Sequence, residues 1–194
     1  AVAEHILGLM FSVARSIPMA DRYVKDGHWL SPDGPYRTLR GIELGGKTVG
    51  LIGLGSIGKQ LASITQGIGM TVLAYDPYVT DIPTGVELTD LGSVLMGSDF
   101  VSTVAPITAE TRGMLDASML SKMKSGAFLI MASGAAIADQ DSLLGALDCG
   151  ALGGAAVDVF DTHPIAPDSP LLTAENIVLT PHIAGATAET IHRH

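Results

Sequence analysis

The amino-acid sequence predicts an α/β protein built on a doubly wound parallel sheet. Six short apolar runs recur between residues 48 and 180, and segments with helical periodicity separate most of them. Near-continuous apolar strands that alternate with helices are typical of a parallel sheet covered on both faces. A glycine-rich turn directly after the first run favours the same fold. The chain has 194 residues, 47% of them hydrophobic, which is enough to bury one sizeable core.

The elements follow from the chain in order. Residues 1–26 carry apolar side chains at three- and four-residue spacing, which predicts a helix with Pro18 as a kink or break. Residues 27–46 are rich in Gly, Pro and Ser and predict a loop. Strands are predicted at 48–53, 70–75, 100–105, 127–132, 153–159 and 176–180, with helices at 56–68, 89–97, 116–123 and 139–148 and a less regular connection at 160–175.

These elements predict three segments. An N-terminal helix and loop occupy residues 1–46, an α/β domain occupies 47–185, and the start of a C-terminal helix, beginning at Ala186 or Thr187, occupies 186–194. The apolar opening carries Glu4 and His5 and is shorter than the ~20 apolar residues of a spanning helix, so neither a signal peptide nor a membrane anchor is expected.

Charge and cysteine content narrow the partners and the compartment. The formal net charge is −9, from 11 basic and 20 acidic residues, and no basic cluster stands apart. Such a surface repels phosphate backbones and anionic lipid, so we expect neither nucleic acid nor membrane as a partner. Cys149 is the single cysteine, which excludes an internal disulfide framework and favours a reducing, cytoplasmic location.

The motif GLGSIG supplies the first functional prediction. It follows the strand TVGLI and opens a helix near Ser56. Gly53 allows the tight turn, Gly55 lets backbone N–H groups approach a pyrophosphate, and Gly58 lets the helix pack on the strand. Asp76 lies 23 residues after Gly53, at the end of the next strand. A carboxylate there accepts hydrogen bonds from ribose hydroxyls and repels a 2′-phosphate, so the sequence predicts a Rossmann-type site for NAD rather than NADP.

Several motifs together resemble a known family. The segments AVAEHILGL, GKTVGLIGLGSIGK, VLAYDPY, APITAETRGML, LGGAAVDVFDTHP and NIVLTPHIAGAT are similar to the NAD-binding domain of the D-isomer-specific 2-hydroxyacid dehydrogenases. The resemblance implies hydride transfer between NAD(H) and a small 2-hydroxy or 2-oxo acid. It also implies a separate substrate domain, which is absent from this chain, and a dimerisation role for the N-terminal helix, hence a homodimer.

The resemblance also implies contacts with the cofactor. The backbone of Ser56 and Ile57 is expected at the pyrophosphate, Asp76 at the ribose, Ala105 and Pro106 on the adenine side, and Thr111 beyond them. Around the nicotinamide the expected residues are Ala132, Ser133, Gly134, Asp158, which would hold the carboxamide, His182 and Gly185.

The catalytic positions depart from the family pattern. His182, in TPHIAG, matches the family's acid/base histidine, and imidazole suits that task because it exchanges protons near neutral pH. Gly134 stands where the family has the arginine that binds the substrate carboxylate, and no Arg or Lys occurs between Lys124 and Arg193. His163 stands where the family has the glutamate that supports the histidine. The candidate catalytic residues are therefore His182 and His163.

Four interpretations stay open. The chain belongs to an active oxidoreductase whose substrate is uncharged or held by another domain, or it is a catalytically impaired dinucleotide-binding or regulatory homologue. Its substitutions could also have been introduced on purpose. Finally, His163 and His182 could form a metal pair, but no third ligand is evident and no metal site is predicted.

Overall fold

A computed structural model of the protein describes residues 1–191. Seven strands form one sheet: β1 (Thr48–Ile52), β2 (Thr71–Tyr75), β3 (Val86–Leu88), β4 (Phe100–Thr103), β5 (Ala127–Met131), β6 (Leu152–Val157) and β7 (Ile177–Leu179). Their order in the sheet is β3-β2-β1-β4-β5-β6-β7, and every neighbouring pair is parallel. The order reverses between β1 and β4, so a crevice opens at the carboxyl ends of these two strands.

Eight helices accompany the sheet in the described residues: α1 (Val2–Ala14), α2 (Ile17–Lys25), α3 (Asp33–Thr38), α4 (Ser56–Gly67), α5 (Leu91–Gly97), α6 (Ala117–Leu120), α7 (Gln140–Asp148) and α8 (Ala188–Ile191). Side-chain acceptors fix three of the helix starts. Asp90, Asp116 and Asp139 each accept a hydrogen bond from a backbone N–H in the first turn of α5, α6 and α7. Two short 3-10 turns lie at Ala135–Ile137 and Pro170–Leu172.

Buried side chains cover both faces of the sheet. On one face, Ile6 and Met10 of α1 and Leu61 of α4 pack with strand residues such as Leu51 and Phe100. A second cluster on the other face contains residues of α5, α6 and α7 packed against Ile52, Val101, Leu129 and Val157. Strands that are apolar on both sides are those of a doubly wound α/β domain, and the fold class predicted from the sequence is confirmed.

Four local details of the structure differ from the predictions. The strand β3 lies in a segment for which no strand was predicted, and α3 lies within the predicted loop 27–46. The N-terminal helix breaks at Ser16, which has φ +51°, and Pro18 occupies the first turn of α2, where a missing N–H costs nothing. The last helix begins at Ala188, and residues 192–194 of its predicted span lie outside the described residues.

The division of the chain at residues 46 and 185 stays a prediction. In the part of the chain that the structure describes, no helix combines the length and the apolar character needed to cross a membrane.

Candidate cofactor and catalytic site

The glycine-rich turn between β1 and α4 is closely packed at two positions and open at the third. Gly53 has φ +105°, and a Cβ there would lie 2.7 Å from the backbone nitrogen of Ala105. A Cβ on Gly58 would lie 2.5 Å from the carbonyl oxygen of Gly53, whereas one on Gly55 would meet nothing within 4 Å. The N-cap residue of α4 is Gly55, so the N–H groups of the first turn, starting with those of Ser56 and Ile57, have no side-chain acceptor. The turn therefore fits a pyrophosphate at the helix N-terminus.

Asp76 lies beside this turn, at the end of β2. Its Oδ2 accepts a hydrogen bond from the N–H of Leu54 at 2.7 Å. Its Oδ1 accepts from the N–H groups of Tyr78 and Val79 at 2.9 and 3.1 Å. The carboxylate is thus held at the carboxyl edge of the sheet, next to the glycine turn, where the sequence predicted a ribose contact.

A cleft of about 120 Å³ opens between the ends of β1, β2 and β4, and we call it the β2–β4 cleft. Its lining includes the predicted residues Gly53, Asp76, Ala105, Pro106 and Thr111. The hydroxyl of Thr111 donates to the carbonyl oxygen of Pro106 at 2.7 Å, so this side chain holds the wall of the cleft together.

Among the residues of the β2–β4 cleft that were not predicted, two form a hydrogen bond across it. The hydroxyl of Tyr78 donates to the carboxylate of Glu110 at 2.5 Å. This hydrogen bond joins the segment after β2 to the segment after β4. The two residues are 32 positions apart in the sequence, and only their location after the ends of two strands could have suggested the contact.

At the end of β5, small residues meet an apolar neighbour. Ala132 is buried, and the hydroxyl of Ser133 donates to the carbonyl oxygen of Thr103 at 2.8 Å. Gly134 has φ +58°, and a Cβ there would lie 2.6 Å from Cδ1 of Ile107. The position at which the family resemblance implied an arginine is therefore a left-handed turn that packs against an aliphatic side chain.

Asp158, after β6, is completely buried. It accepts hydrogen bonds from the hydroxyl of Thr180 at 2.6 Å and from the N–H groups of Ile183 and Ala184 at 3.0 and 2.9 Å. Burial by itself would raise the pKa of Asp158, but these hydrogen bonds and the nearby His5 hold that pKa below its ordinary value. The carboxylate binds both ends of the segment 180–184, which we call the histidine loop because it carries His182.

His5 of α1 also contacts this network. Its Nε2 lies 3.2 Å from the hydroxyl oxygen of Thr180 and 3.4 Å from Oδ1 of Asp158. No sequence pattern predicts this contact, since His5 and Thr180 are separated by 175 positions. The N-terminal helix is thereby linked to the histidine loop.

The two candidate catalytic histidines are in contact. Nδ1 of His182 lies 3.1 Å from Nε2 of His163, and both side chains are exposed. His163 Nε2 also accepts from the N–H of Phe160, with a long distance of 3.4 Å. An imidazole nitrogen that accepts from a backbone N–H carries no proton. In the neutral pair, His182 Nδ1 is therefore the donor, and its Nε2 is the free acceptor.

His182 itself has φ +55°, and its N–H donates to the carbonyl oxygen of Thr180 at 3.0 Å. Gly185 follows the histidine loop directly, and a Cβ there would meet nothing within 4 Å. Among residues 1–191, no three side chains of His, Cys, Asp or Glu form a group that could hold a metal ion.

The chain is similar to known proteins both in sequence and in fold. The family described as "D-isomer specific 2-hydroxyacid dehydrogenase, NAD binding domain" matches residues 7–184. The chain is 41% identical to a D-3-phosphoglycerate dehydrogenase from Archaeoglobus fulgidus, over 97% of this chain and 36% of that protein.

Two solved structures are similar over 99% of the chain. One is an NAD-dependent formate dehydrogenase from Staphylococcus aureus in complex with NAD, with a TM-score of 0.91, 28% identity and 57% of its chain covered. The other is an acyclic imino acid reductase in complex with NADPH, with a TM-score of 0.90, 30% identity and 60% of its chain covered. The chain thus spans from about a third to three fifths of the length of these relatives.

Proposed function

The chain belongs to the D-isomer-specific 2-hydroxyacid dehydrogenase family as an NAD-binding domain, and we propose that it serves an NAD-dependent oxidoreductase of small 2-hydroxy or 2-oxo acids. The observation that carries this proposal is the fit of the glycine turn to a pyrophosphate, with His182 on the same edge of the sheet. When bound, NAD supplies the hydride acceptor or donor of the reaction.

We assign the cofactor contacts to residues at the carboxyl edge of the sheet. The N–H groups of Ser56 and Ile57 would bind the pyrophosphate, and Asp76 would accept hydrogen bonds from the adenosine ribose. Ala132, Ser133 and Gly134 would border the nicotinamide from the end of β5. For Asp158, complete burial supports a role in holding the histidine loop, and its contact with the carboxamide stays a prediction.

His182 is the proposed acid/base. Its free Nε2 would take the hydroxyl proton in the oxidation and return a proton to the carbonyl oxygen in the reduction. The hydrogen bond from Nδ1 to His163 supports this assignment because it fixes the tautomer that leaves Nε2 available. A neutral His163 orients His182 as a carboxylate would, but it cannot stabilise an imidazolium by charge. We therefore expect His182 to work less efficiently than with a glutamate partner. Asp161 is exposed and lies two residues before His163 in the sequence; it is a second and weaker candidate partner for His182.

A catalytically impaired dinucleotide-binding or regulatory protein is the alternative. The observation that favours it is Gly134, which lies against Ile107 and provides no cation for a substrate carboxylate. Loss of a charge-assisted contact of this kind would weaken substrate binding by roughly 1.5–3 kcal/mol. Both departures from the family pattern affect catalytic positions, whereas the cofactor positions fit NAD.

Turnover measurements separate the two functions. The protein at its full natural length is assayed with NADH against glyoxylate, pyruvate, hydroxypyruvate and neutral carbonyl compounds, and NADH binding is measured in parallel. Turnover that His182→Ala abolishes supports the oxidoreductase. Binding of NADH without turnover of any compound supports the alternative.

A restored variant adds a second criterion. Gly134→Arg with His163→Glu replaces both departures, and Ile107→Ala is added because the new side chain at residue 134 needs the space that Ile107 fills. A large gain in 2-oxoacid reduction would identify a disabled copy of the family's site. No gain in a folded variant would point to a different substrate.

We also propose that the chain forms a homodimer in the cytoplasm. Seven large apolar side chains are exposed between residues 17 and 42: Ile17, Met19, Val24, Trp29, Leu30, Tyr36 and Ile42. A concentration of exposed apolar surface of this kind supports a protein interface. The single cysteine, exposed and unpaired, supports a reducing compartment.

A further inference from the structure

We propose that Glu110 is a second carboxylate, besides Asp76, that makes the β2–β4 cleft select NAD over NADP. This inference rests on the proposed cofactor site and extends it to a residue outside the glycine motif. The fold alone does not decide between NAD and NADP, because one structural relative contains NAD and another contains NADPH.

Glu110 lies in the same cleft as Asp76. Asp76 and Glu110 line the same cleft of about 120 Å³, from opposite sides of the gap between the β2 and β4 ends. Tyr78 connects them, since its N–H donates to Asp76 and its hydroxyl donates to Glu110. Both carboxylates therefore act on the space in which the adenosine ribose is expected.

Glu110 lies in a turn that hydrogen bonds hold in place. Its N–H donates to the hydroxyl of Thr108 at 3.2 Å, and the N–H of Thr108 donates to the hydroxyl of Thr111 at 2.8 Å. The Thr111 hydroxyl in turn donates to the carbonyl oxygen of Pro106. The turn that carries Glu110 is thus tied to the wall of the cleft, so its charge stays near the ribose position.

The electrostatics of the cleft favour the same role for Glu110. The hydrogen bond to Glu110 and the charge of that carboxylate raise the pKa of Tyr78, and the charge of Asp76 contributes in the same direction. The two acids thus act on one hydroxyl group at the cleft. The 2′-phosphate of NADPH would add roughly two further negative charges to the β2–β4 cleft. Lys59, at the start of α4, is already ion-paired with Asp81 at 2.8 Å.

Dissociation constants of NADH and NADPH test the inference. They are measured by fluorescence titration of the 194-residue chain and of three variants. Glu110→Gln removes the charge and keeps an acceptor for Tyr78. Tyr78→Phe removes the hydrogen bond and keeps the charge. Glu175→Gln removes one exposed negative charge beyond the amino end of β7, as a control for net charge.

We expect Glu110→Gln to lower the ratio of the NADPH to the NADH dissociation constant by about twofold to fivefold, as for an exposed charge pair. The change should be larger at low salt. Glu175→Gln should leave the ratio within the experimental error, and Tyr78→Phe, which keeps the charge of Glu110, should change the ratio less than Glu110→Gln does. An unchanged ratio in Glu110→Gln, or the same change in Glu175→Gln, would overturn the inference alone. Failure of the unmodified chain to bind either nucleotide would contradict the proposed cofactor site as well.

Discussion

At the residue scale, the glycine turn separates the requirements of folding from those of binding. Gly53 has φ +105° and backbone atoms of Ala105 where a Cβ would lie. Gly53→Ala should therefore lower the free energy of unfolding by about 2 kcal/mol or more, through backbone strain and steric overlap. Urea denaturation followed by circular dichroism measures this loss.

Gly55 is the matched position in the same turn. Its φ is −71°, and a Cβ there meets nothing within 4 Å, so Gly55→Ala should change stability by less than about 0.5 kcal/mol. The added methyl group would occupy the space expected for the pyrophosphate, so NADH should bind at least about tenfold more weakly, a loss of ~1.4 kcal/mol. Unaltered NADH affinity in this variant would exclude the proposed pyrophosphate position.

Asp158 gives a pH-dependent prediction. Its pKa is lowered in the folded protein, so the carboxylate stabilises the fold above its ordinary pKa of about 3.9. That contribution is lost as the pH falls from about 4 through the lower folded pKa. Asp158→Asn removes the charge and replaces one of the two accepting oxygens by an amide NH2 group, and we expect it to lower the free energy of unfolding at pH 7 by about 2–4 kcal/mol.

Urea denaturation of wild type and Asp158→Asn at pH 7 and at pH 3 tests this expectation. The difference between the two proteins should become smaller at the lower pH, because Asp158 of the unfolded wild-type chain, with its ordinary pKa of about 3.9, is then largely protonated, which reduces the stability that the folded carboxylate contributes. Asp161 is an exposed acid three residues after Asp158, and the variant Asp161→Asn should unfold like the wild type at both pH values. An equal deficit of Asp158→Asn at both pH values would show that charge is not the reason for its stability effect.

Local sequence patterns predicted candidate site residues but not the contacts between them. The glycine turn, Asp76 and His182 follow local patterns that one segment of chain contains. The packing of Ile107 on Gly134 and the bond between Tyr78 and Glu110 join segments about 30 residues apart, and His5 lies far from Thr180 in the sequence. Such contacts depend on which strand ends are neighbours, and a single sequence does not state that order.

At the scale of elements, hydrophobic periodicity predicted the long elements and missed the short ones. All six apolar runs contain strands, each of which begins and ends within two residues of the predicted bounds. The strand β3 has three residues at the edge of the sheet, none of them buried, and α3 has six residues with no buried side chain. Elements that bury so little leave no apolar pattern to detect.

The junction of α1 and α2 gives the prediction for this scale. Ser16 has φ +51° and ψ +34°, a left-handed conformation that strains any residue except glycine. We expect Ser16→Gly to raise the free energy of unfolding by about 0.5–1 kcal/mol, because the native conformation would then carry no Cβ strain.

Ser12→Gly is the control, since Ser12 lies inside α1 in an ordinary helical conformation. There glycine should lower the free energy of unfolding, by up to about 1 kcal/mol relative to a helix-forming residue. Both changes are measured by urea denaturation. Destabilisation by Ser16→Gly, equal to that of Ser12→Gly, would mean that the junction is not strained.

At the scale of the whole molecule, the last part of the exposed apolar segment 17–42 lies at the end of the sheet opposite the proposed cofactor site. The cofactor residues follow the carboxyl ends of the strands. Thr38, Arg40, Gly41 and Ile42, at the end of the apolar segment 17–42, line a cavity of about 270 Å³ with Phe128, Gly153 and Asn176, which lie at the amino ends of β5, β6 and β7. Changes in this part of the proposed dimer surface should therefore leave nucleotide binding intact.

Leu30 is the best position to test the dimer, because its side chain is 90% exposed on the proposed interface. We expect the unmodified chain to sediment as a dimer and Leu30→Glu to weaken dimerisation at least about tenfold, since a carboxylate buried in an apolar interface has no partner. Analytical ultracentrifugation over a range of concentrations measures this, and NADH affinity should not change. Met96→Glu introduces the same charge at an exposed methionine of α5 and should leave the dimer intact. A monomer at every concentration, or equal weakening by both variants, would exclude segment 17–42 as the dimer interface.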